Sequence, residues 1–294
     1  MSLVSWSRAG LRPAYWRLAS LLPLKLRRRV LFLARHGRWP DLRHPVSFSE
    51  KVNWRILNDR RPELVEFSDK VEMRRLARER VPDEELLRLP TLLWCGKDLS
   101  QMPDLSTIGA WVLKPNNGTA TVEFGPSGRS REEVIHRATK WKASVPGRLL
   151  GEWAYTQVPT RYLLEARLPG DTLPTDYKLL CFDGEPRVIQ VHTGRFTASH
   201  SITHYTPDWQ VLPGRAAKCR NDDSPRPGHL GQMLEVAKRL SAGWDFLRVD
   251  LYDLDGGVWF GEFTPYPAAG TLRFVPYAFD EYLGSLWTLR EIPG

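Results

Sequence analysis

The residues best suited to chemistry lie late in the chain, where Arg248-Val-Asp250 is followed by Glu262-Phe-Thr264. Leu247, Val249 and Leu251 alternate with Arg248, Asp250 and Tyr252, the period-two pattern of a strand with one apolar and one polar face. Asp255-Gly256-Gly257 supplies a turn, so residues 246–265 read as a β-hairpin. A three-residue loop there pairs Leu254 with Val258 and sets Asp250 opposite Glu262 on one face, with Cβ atoms about 4.5–5.5 Å apart. Two carboxylates that close repel, and one takes a proton unless a cation lies between them. Arg248, one step along the same face, is placed to hold an anion beside that cation. Three arrangements share this pattern: a solvated pair of surface acids, a retaining glycosidase whose carboxyl groups lie about 5–5.5 Å apart, and a pair of Mg²⁺ ligands with Arg248 on a phosphate. The hairpin alone does not choose among them.

Other polar groups stand at element ends. Asp69-Lys70 opens a helix, where a lysine works against the helix dipole and is either solvated or kept to meet an anion. Lys114 ends a strand and leads into Asn116-Asn-Gly-Thr-Ala-Thr121, a small-residue loop able to fold its N–H groups over phosphates or to act as an ordinary Asn-Gly turn. Asp176 and Lys178 share a strand face, placed to grip a ribose and a phosphate or to pair with each other. His200 and His204 have i, i+4 spacing, with His192 nearby, but the segment reads as loop and no acidic partner stands out for a zinc site.

The elements that must position these groups come from capping and periodicity. Ser47-Phe-Ser-Glu50 and Ser130-Arg-Glu-Glu133 are capping boxes that open helices to Asn58 and to about Lys142. Strands are expected over 91–95, 110–115, 122–124 and 161–168, a second hairpin over 176–191 turning at Asp183-Gly184, and an amphipathic helix over 228–240 ended by Gly243. Residues 1–45 form a basic arm with the run Lys25-Leu-Arg-Arg-Arg29, broken by Pro23. Two readings of it compete: a membrane-surface or glycan-binding helix, and short helices packed on the main domain with their arginines outward, which is favoured.

The 294-residue chain is 42% hydrophobic and 26% charged, the composition of a globular protein, and its net charge of +8 favours anionic partners. Three widely spaced cysteines, Cys95, Cys181 and Cys219, suggest neither a disulfide framework nor a CxxC zinc site and fit the cytoplasm. No apolar run approaches the roughly 18 residues of a membrane span, and the N-terminus lacks the pattern of a signal peptide.

Taken together, Asp69-Lys70, Lys114 with its loop, Asp176-Tyr-Lys178, Arg248-Val-Asp250 and Glu262-Phe-Thr264 fall in the order seen in ATP-grasp enzymes. The chain most resembles the TupA-like branch, from about Phe48 to about Leu289, most specifically in Asp176-Tyr-Lys-Leu-Leu-Cys-Phe-Asp-Gly and in Arg-Val-Asp-Leu-Tyr through Gly-Glu-Phe-Thr-Pro-Tyr-Pro. The resemblance implies an α+β fold with two subdomains, roughly 46–160 and 161–294, gripping ATP between antiparallel sheets. It implies Lys70, Lys114 and the loop residues Asn117, Gly118 and Thr119 on phosphates, and Glu165, in the segment after Leu164, beside adenine. Asp176 falls near ribose, Lys178 and Arg248 near phosphate oxygens as the catalytic pair, and Asp250, Glu262 and Thr264 on Mg²⁺. The implied activity is an ATP- and Mg²⁺-dependent carboxylate–amine ligase. It joins an amino acid or other amine to a small-molecule or glycan carboxylate in polysaccharide or secondary-metabolite assembly, with no specific nucleic acid and with peripheral contact to anionic membrane or acidic polysaccharide through the arm. The alternatives are an ATP-dependent phosphotransferase and an inactive glycan- or anion-binding protein. Three positions depart from the pattern: Thr264 stands for the usual Asn, the loop has Gly118 as its lone glycine, and Ala268 replaces the glycine of a closing Pro-Gly.

Overall fold

The computed structural model describes residues 22–118, 121–143, 146–170, 173–194, 197 and 199–290. In chain order the elements are α1 (Leu24–His36), α2 (Phe48–Asn58), α3 (Glu63–Glu66), α4 (Lys70–Arg80), β1 (Leu92–Gly96), β2 (Trp111–Pro115), β3 (Glu123–Gly125), α5 (Arg131–Thr139), α6 (Pro146–Leu150), α7 (Trp153–Gln157) and β4 (Tyr162–Ala166). Next come β5 (Asp176–Phe182), β6 (Glu185–Thr193), β7 (Ser201–Tyr205), β8 (Arg215–Ala216), α8 (Leu230–Ser241), β9 (Phe246–Leu254), β10 (Gly257–Thr264), β11 (Phe274–Val275) and α9 (Tyr277–Ser285). Both capping boxes form: Ser47 and Ser130 accept from the N–H of Glu50 and Glu133, whose carboxylates return the bond. Asp69 caps α4 through the Val71 N–H at 2.8 Å.

Two antiparallel sheets carry the fold, a four-stranded one in the order β1-β4-β2-β3 and a five-stranded one in the order β10-β9-β5-β6-β7. The α+β class expected from the sequence is what the chain adopts. In the larger sheet Tyr177, Leu179, Cys181, Leu247, Val249 and Leu251 form the apolar face on which α8 packs, burying Leu230, Met233, Val236, Ala237 and Leu240. The smaller sheet packs Trp111, Leu113, Tyr162 and Leu164 against Val134 and Ala138 of α5 in a separate core.

The division at residue 160 does not match these cores. Strand β4 lies beyond that point yet hydrogen-bonds between β1 and β2 in the smaller sheet. Phe48, Val52, Ile56, Leu64, Phe67, Met73, Leu76 and Ala77, all from α2 to α4 and the turn before α4, lie in the larger core. The smaller sheet is built from strands within residues 92–166, while Ala154 and Tyr155 of α7, between β3 and β4, are buried in the larger core.

The hairpin also forms differently at its tip. Leu254 pairs with Gly257, so Asp255-Gly256 is a two-residue turn, and a bulge at Gly261 then shifts the register by one residue. Beyond the bulge Asp250 stands opposite Glu262, as the alternation requires. A Cβ at position 261 would lie 2.9 Å from the Asp250 carbonyl oxygen, which is why glycine occupies it.

The arm's residues 1–21 lie outside the described residues. Helix α1 supports the packed reading, with one reversal: Arg28 points inward. It is 1% exposed and donates to Asn53 Oδ1, at 2.9 Å from Nε, to the Leu150 carbonyl at 3.2 Å and to the Ala269 carbonyl. Leu31 and Phe32 are buried beside it.

Candidate functional site: a cavity between the two sheets

A cavity of about 1070 Å³ separates the polar faces of the sheets. Its floor is set by register. Gln190, Lys178, Asp250 and Glu262 lie in one row across β6, β5, β9 and β10, and Leu180, Arg248 and Thr264 in the next. Adjacent residues in such a row are near neighbours, so Lys178 flanks Asp250 on one side and Glu262 flanks it on the other. Lys178 Nζ lies 2.5 Å from Asp250 Oδ2 and 2.7 Å from Asp176 Oδ2. Arg248 makes a two-pronged contact with Asp250, Nε to Oδ1 at 2.6 Å and Nη2 to Oδ2 at 2.8 Å, and reaches Glu262 Oε1 at 3.5 Å. The cation that two opposed carboxylates demand is thus supplied by the chain itself. Asp176 and Lys178 do pair with each other, but 2% and 3% exposed respectively rather than at the surface.

Burial, the largest influence, pushes the Asp250 carboxyl above its ordinary pKa, against the pull of Arg248 and Lys178. Burial works against the Arg248 guanidinium as well, but its carboxylate partners, Asp250 first, hold its pKa above the ordinary value.

The roof comes from the smaller sheet and α4. Lys114 Nζ lies 2.5 Å from Glu165 Oε2, and Arg74 Nη1 lies 2.8 Å from Glu165 Oε1. Lys70 links roof to floor: its Nζ donates to the Gly118 carbonyl at 2.7 Å and lies 3.7 Å from Glu262 Oε2. Burial lowers the Lys70 pKa, with Glu262 opposing. Its side chain is mostly buried and engaged by the chain's own oxygens, not freely solvated.

Of the residues expected at the site, Lys70, Lys114, Gly118, Glu165, Asp176, Lys178, Arg248, Asp250, Glu262 and Thr264 all line this one cavity. Thr119 lies outside the described residues. Asn117 is not among the lining residues: its side chain donates to the Val158 carbonyl at 3.1 Å and to Thr160 Oγ1 at 3.2 Å, which anchors the loop to the approach to β4. Asn116 is spent the same way, on Asp69 Oδ1 at 2.9 Å and on the Arg161 N–H at 2.7 Å. The Thr264 hydroxyl accepts from Arg248 Nη2 at 2.8 Å, which makes it a support for the arginine. The three histidines do not assemble. His192 Nδ1 meets His200 Nε2 at 3.2 Å, while His204 contacts Gln190 and lies edge-on to Phe279. In extended chain i, i+4 residues are about 13 Å apart.

Sequence reasoning missed Arg74, although it lies one helical turn from Lys70 on the same face. It also missed Glu152, a lone acid in the apolar run Leu149-Leu-Gly-Glu-Trp-Ala-Tyr155.

No group of three or more His, Cys, Asp or Glu side chains arranged for a metal ion occurs among the described residues. Mg²⁺ needs less from a protein: one or two carboxylates, with phosphate and water oxygens completing the octahedron. The opposed pair Asp250 and Glu262 fits that demand, with Glu262 one-third exposed to the cavity and only loosely held by its cations.

Two antiparallel sheets that hold lysines and an arginine against carboxylates across a shared cavity make the architecture of an ATP-grasp protein. The sequence matches the TupA-like ATP-grasp family over residues 50–288, and the chain belongs to that family. No curated protein matches it in sequence. Among solved structures it is similar to a D-alanine–D-alanine ligase from Helicobacter pylori, at 13% identity and a TM-score of 0.42 over 76% of this chain and 61% of that one. The D-alanine–D-alanine ligase from Bacillus anthracis, complexed with ATP, aligns at 16% identity and a TM-score of 0.38 over 68% and 55%. The ATP-grasp ligase PsnB complexed with minimal precursor aligns at 13% and 0.37 over 71% and 55%. The chain thus spans 55–61% of the length of these structures.

Proposed function

We propose that this protein is an ATP- and Mg²⁺-dependent carboxylate–amine ligase. One observation carries the reading: Lys70, Lys114, Lys178 and Arg248, drawn from both sheets and a helix, converge on a single cavity beside the opposed carboxylates Asp250 and Glu262. A site rich in cations and acids suits phosphoryl transfer, where positioning and charge neutralisation supply most of the catalysis. Asp250 and Glu262 would hold Mg²⁺, whose contribution is to neutralise the triphosphate.

Lys114 and Lys70 would hold the phosphates from the roof, with Glu165 fixing the Lys114 ammonium and Arg74 fixing Glu165. Lys178 and Arg248, positioned by Asp176 and Thr264, would neutralise charge on the transferred phosphoryl group from the floor. The substrate carboxylate takes that phosphoryl group to give an acyl phosphate, and the amine then displaces phosphate to form the amide. The acid and amine are small molecules or termini of a glycan or peptide, within the range that the family's polysaccharide association implies. Calorimetry with Mg·ATP and a screen for ADP release across amino acids and uronic acids, singly and in pairs, test the reading. Amide formed with phosphate released supports it; absence of Mg·ATP binding overturns it, and a phosphorylated alcohol as product makes the protein a phosphotransferase.

A further inference from the structure

The cavity extends past the charged rows to a second end that the phosphate chemistry leaves unused. Glu152, just ahead of α7, is 6% exposed and lines this end. Among the described residues it has neither an ion pair nor a side-chain hydrogen bond. Arg28, the charge that draws on it, spends its donors on Asn53, Leu150 and Ala269 instead. Burial, opposed by Arg28, pushes the Glu152 carboxyl up to about 7.

Two tyrosines complete the pocket. Tyr155 and Tyr266 have ring centroids 6.3 Å apart. The Tyr266 hydroxyl is buried with no hydrogen-bond partner among the described residues. The Tyr155 phenol, its pKa raised first by burial, lies in the fields of Glu152 and of Glu262 and Arg248. Glu152 and Tyr155 line the same cavity as Glu262 and Arg248.

A buried carboxylate with no ion pair among the described residues is costly as an anion and calls for a cation. It repels a second carboxylate or a phosphate, so the acid substrate and ATP belong at the lysine-rich end. A primary ammonium group suits this carboxylate in charge, and the buried Tyr266 hydroxyl is able to accept one of its N–H bonds.

We infer that Glu152, with Tyr155 and Tyr266, forms the acceptor pocket that takes the ammonium group of the amine substrate and removes a proton from it. The inference rests on the ligase reading and adds the class of acceptor, a primary amine that arrives protonated. The R–NH₃⁺ group gives one proton to a Glu152 carboxylate oxygen. The freed nitrogen lone pair attacks the acyl carbon, the C–N bond forms, and the C–O bond to phosphate breaks with its electron pair leaving on phosphate. The second nitrogen proton goes to the departing phosphate, giving HPO₄²⁻, and Glu152 releases its proton to solvent.

Hydroxylamine separates this step from the first, because it is already unprotonated at neutral pH and traps acyl phosphates as hydroxamates. Full-length wild type and Glu152→Gln are assayed for hydroxamate with the amino acid and uronic acid panel. They are then assayed for amide with amino acids, ethanolamine and diamines as acceptors. The expected result is amide formation down about 10²-fold or more in Glu152→Gln, with hydroxamate formation persisting and part of the amide activity restored in Glu152→Asp. Tyr266→Phe, which removes only the orphaned hydroxyl, is expected to raise the amine KM with kcat less affected, and serves if Glu152→Gln fails to fold. Equal loss of both products, retention of both, or a wild type that makes hydroxamate but accepts no amine overturns the acceptor pocket. A wild type that makes no hydroxamate with any acid instead overturns the ligase reading beneath it.

Discussion

Asp250 is the most tightly held of the site's carboxylates, and the metal role proposed for it can be tested against its contacts. Without metal, both its oxygens are engaged by Lys178 and Arg248 at 2.5–2.8 Å. From the sequence, replacing either opposed carboxylate by its amide relieves repulsion and leaves the melting temperature equal or higher. The contacts reverse that for Asp250: Asp250→Asn strips the shared counter-ion from two buried cations and is expected to cost about 3–5 kcal/mol. Glu262, one-third exposed with partners at 3.5 and 3.7 Å, is expected to tolerate Glu262→Gln within about 1 kcal/mol. Both variants should lose ATP-dependent turnover. Thermal unfolding without metal and ADP release with Mg·ATP check the two halves; full turnover in both variants removes the metal assignment. Lys114→Ala should weaken Mg·ATP binding about 10–100-fold, the loss of one charge-assisted contact, while Arg74 keeps Glu165 paired. Calorimetry reads the affinity, and an unchanged value returns Lys114 to the roof's own structure.

Among the elements, the hairpin is legible where its signal is local. Alternation of apolar and polar residues sets the two faces and the opposition of Asp250 to Glu262 without any tertiary knowledge. The tip is not, because Asp255-Gly256-Gly257 closes equally well with two or three loop residues. The choice depends on the bulge at Gly261, which exists only once the two strands have paired. Strand β4 carries the same limitation: its partners β1 and β2 come from earlier in the chain, so its sheet could not be read from its own residues. The bulge makes a sharp test. Gly261→Ala brings a Cβ to 2.9 Å from the Asp250 carbonyl and 3.1 Å from the Tyr252 ring, so backbone must move. It is expected to destabilise by about 1–3 kcal/mol and to shrink the extra stabilisation that Mg·ATP gives. Urea unfolding with and without Mg·ATP measures both; an unchanged midpoint shows that the bulge does not hold the register.

At the scale of the molecule, residues 46–90 and the β4 segment exchange places relative to a division at residue 160, since non-local burial rather than sequence order decides which core a helix joins. Burial also leaves acids with little contact with water. Glu152 is pushed up to about 7, by burial against Arg28, and Asp280 up to about 6, by burial against hydrogen bonds from Ser49 and Ser47. Carboxyls raised above their unfolded values bind more protons in the folded state, so stability falls as pH rises from the ordinary carboxylate range through about 7. Glu152→Gln should therefore raise the melting temperature at pH 8 and change it little at pH values below the ordinary carboxylate range, where the carboxyl is protonated in both states. Equal shifts at the two extremes would mean that Glu152 does not titrate in this window. No helix among the described residues is long and apolar enough to cross a membrane.

Arg28 ties the start of the chain to its end. Two of its acceptors, the carbonyls of Leu150 and Ala269, lie 122 and 241 residues further along. At about 5–20 residues per second of synthesis, the second of these emerges from the ribosome some tens of seconds after Arg28. Through that interval α1, basic and carrying Leu31 and Phe32, has no finished surface to dock on. The nascent protein must keep one arginine and two apolar side chains waiting, in water or on a chaperone, until almost the last strand has emerged.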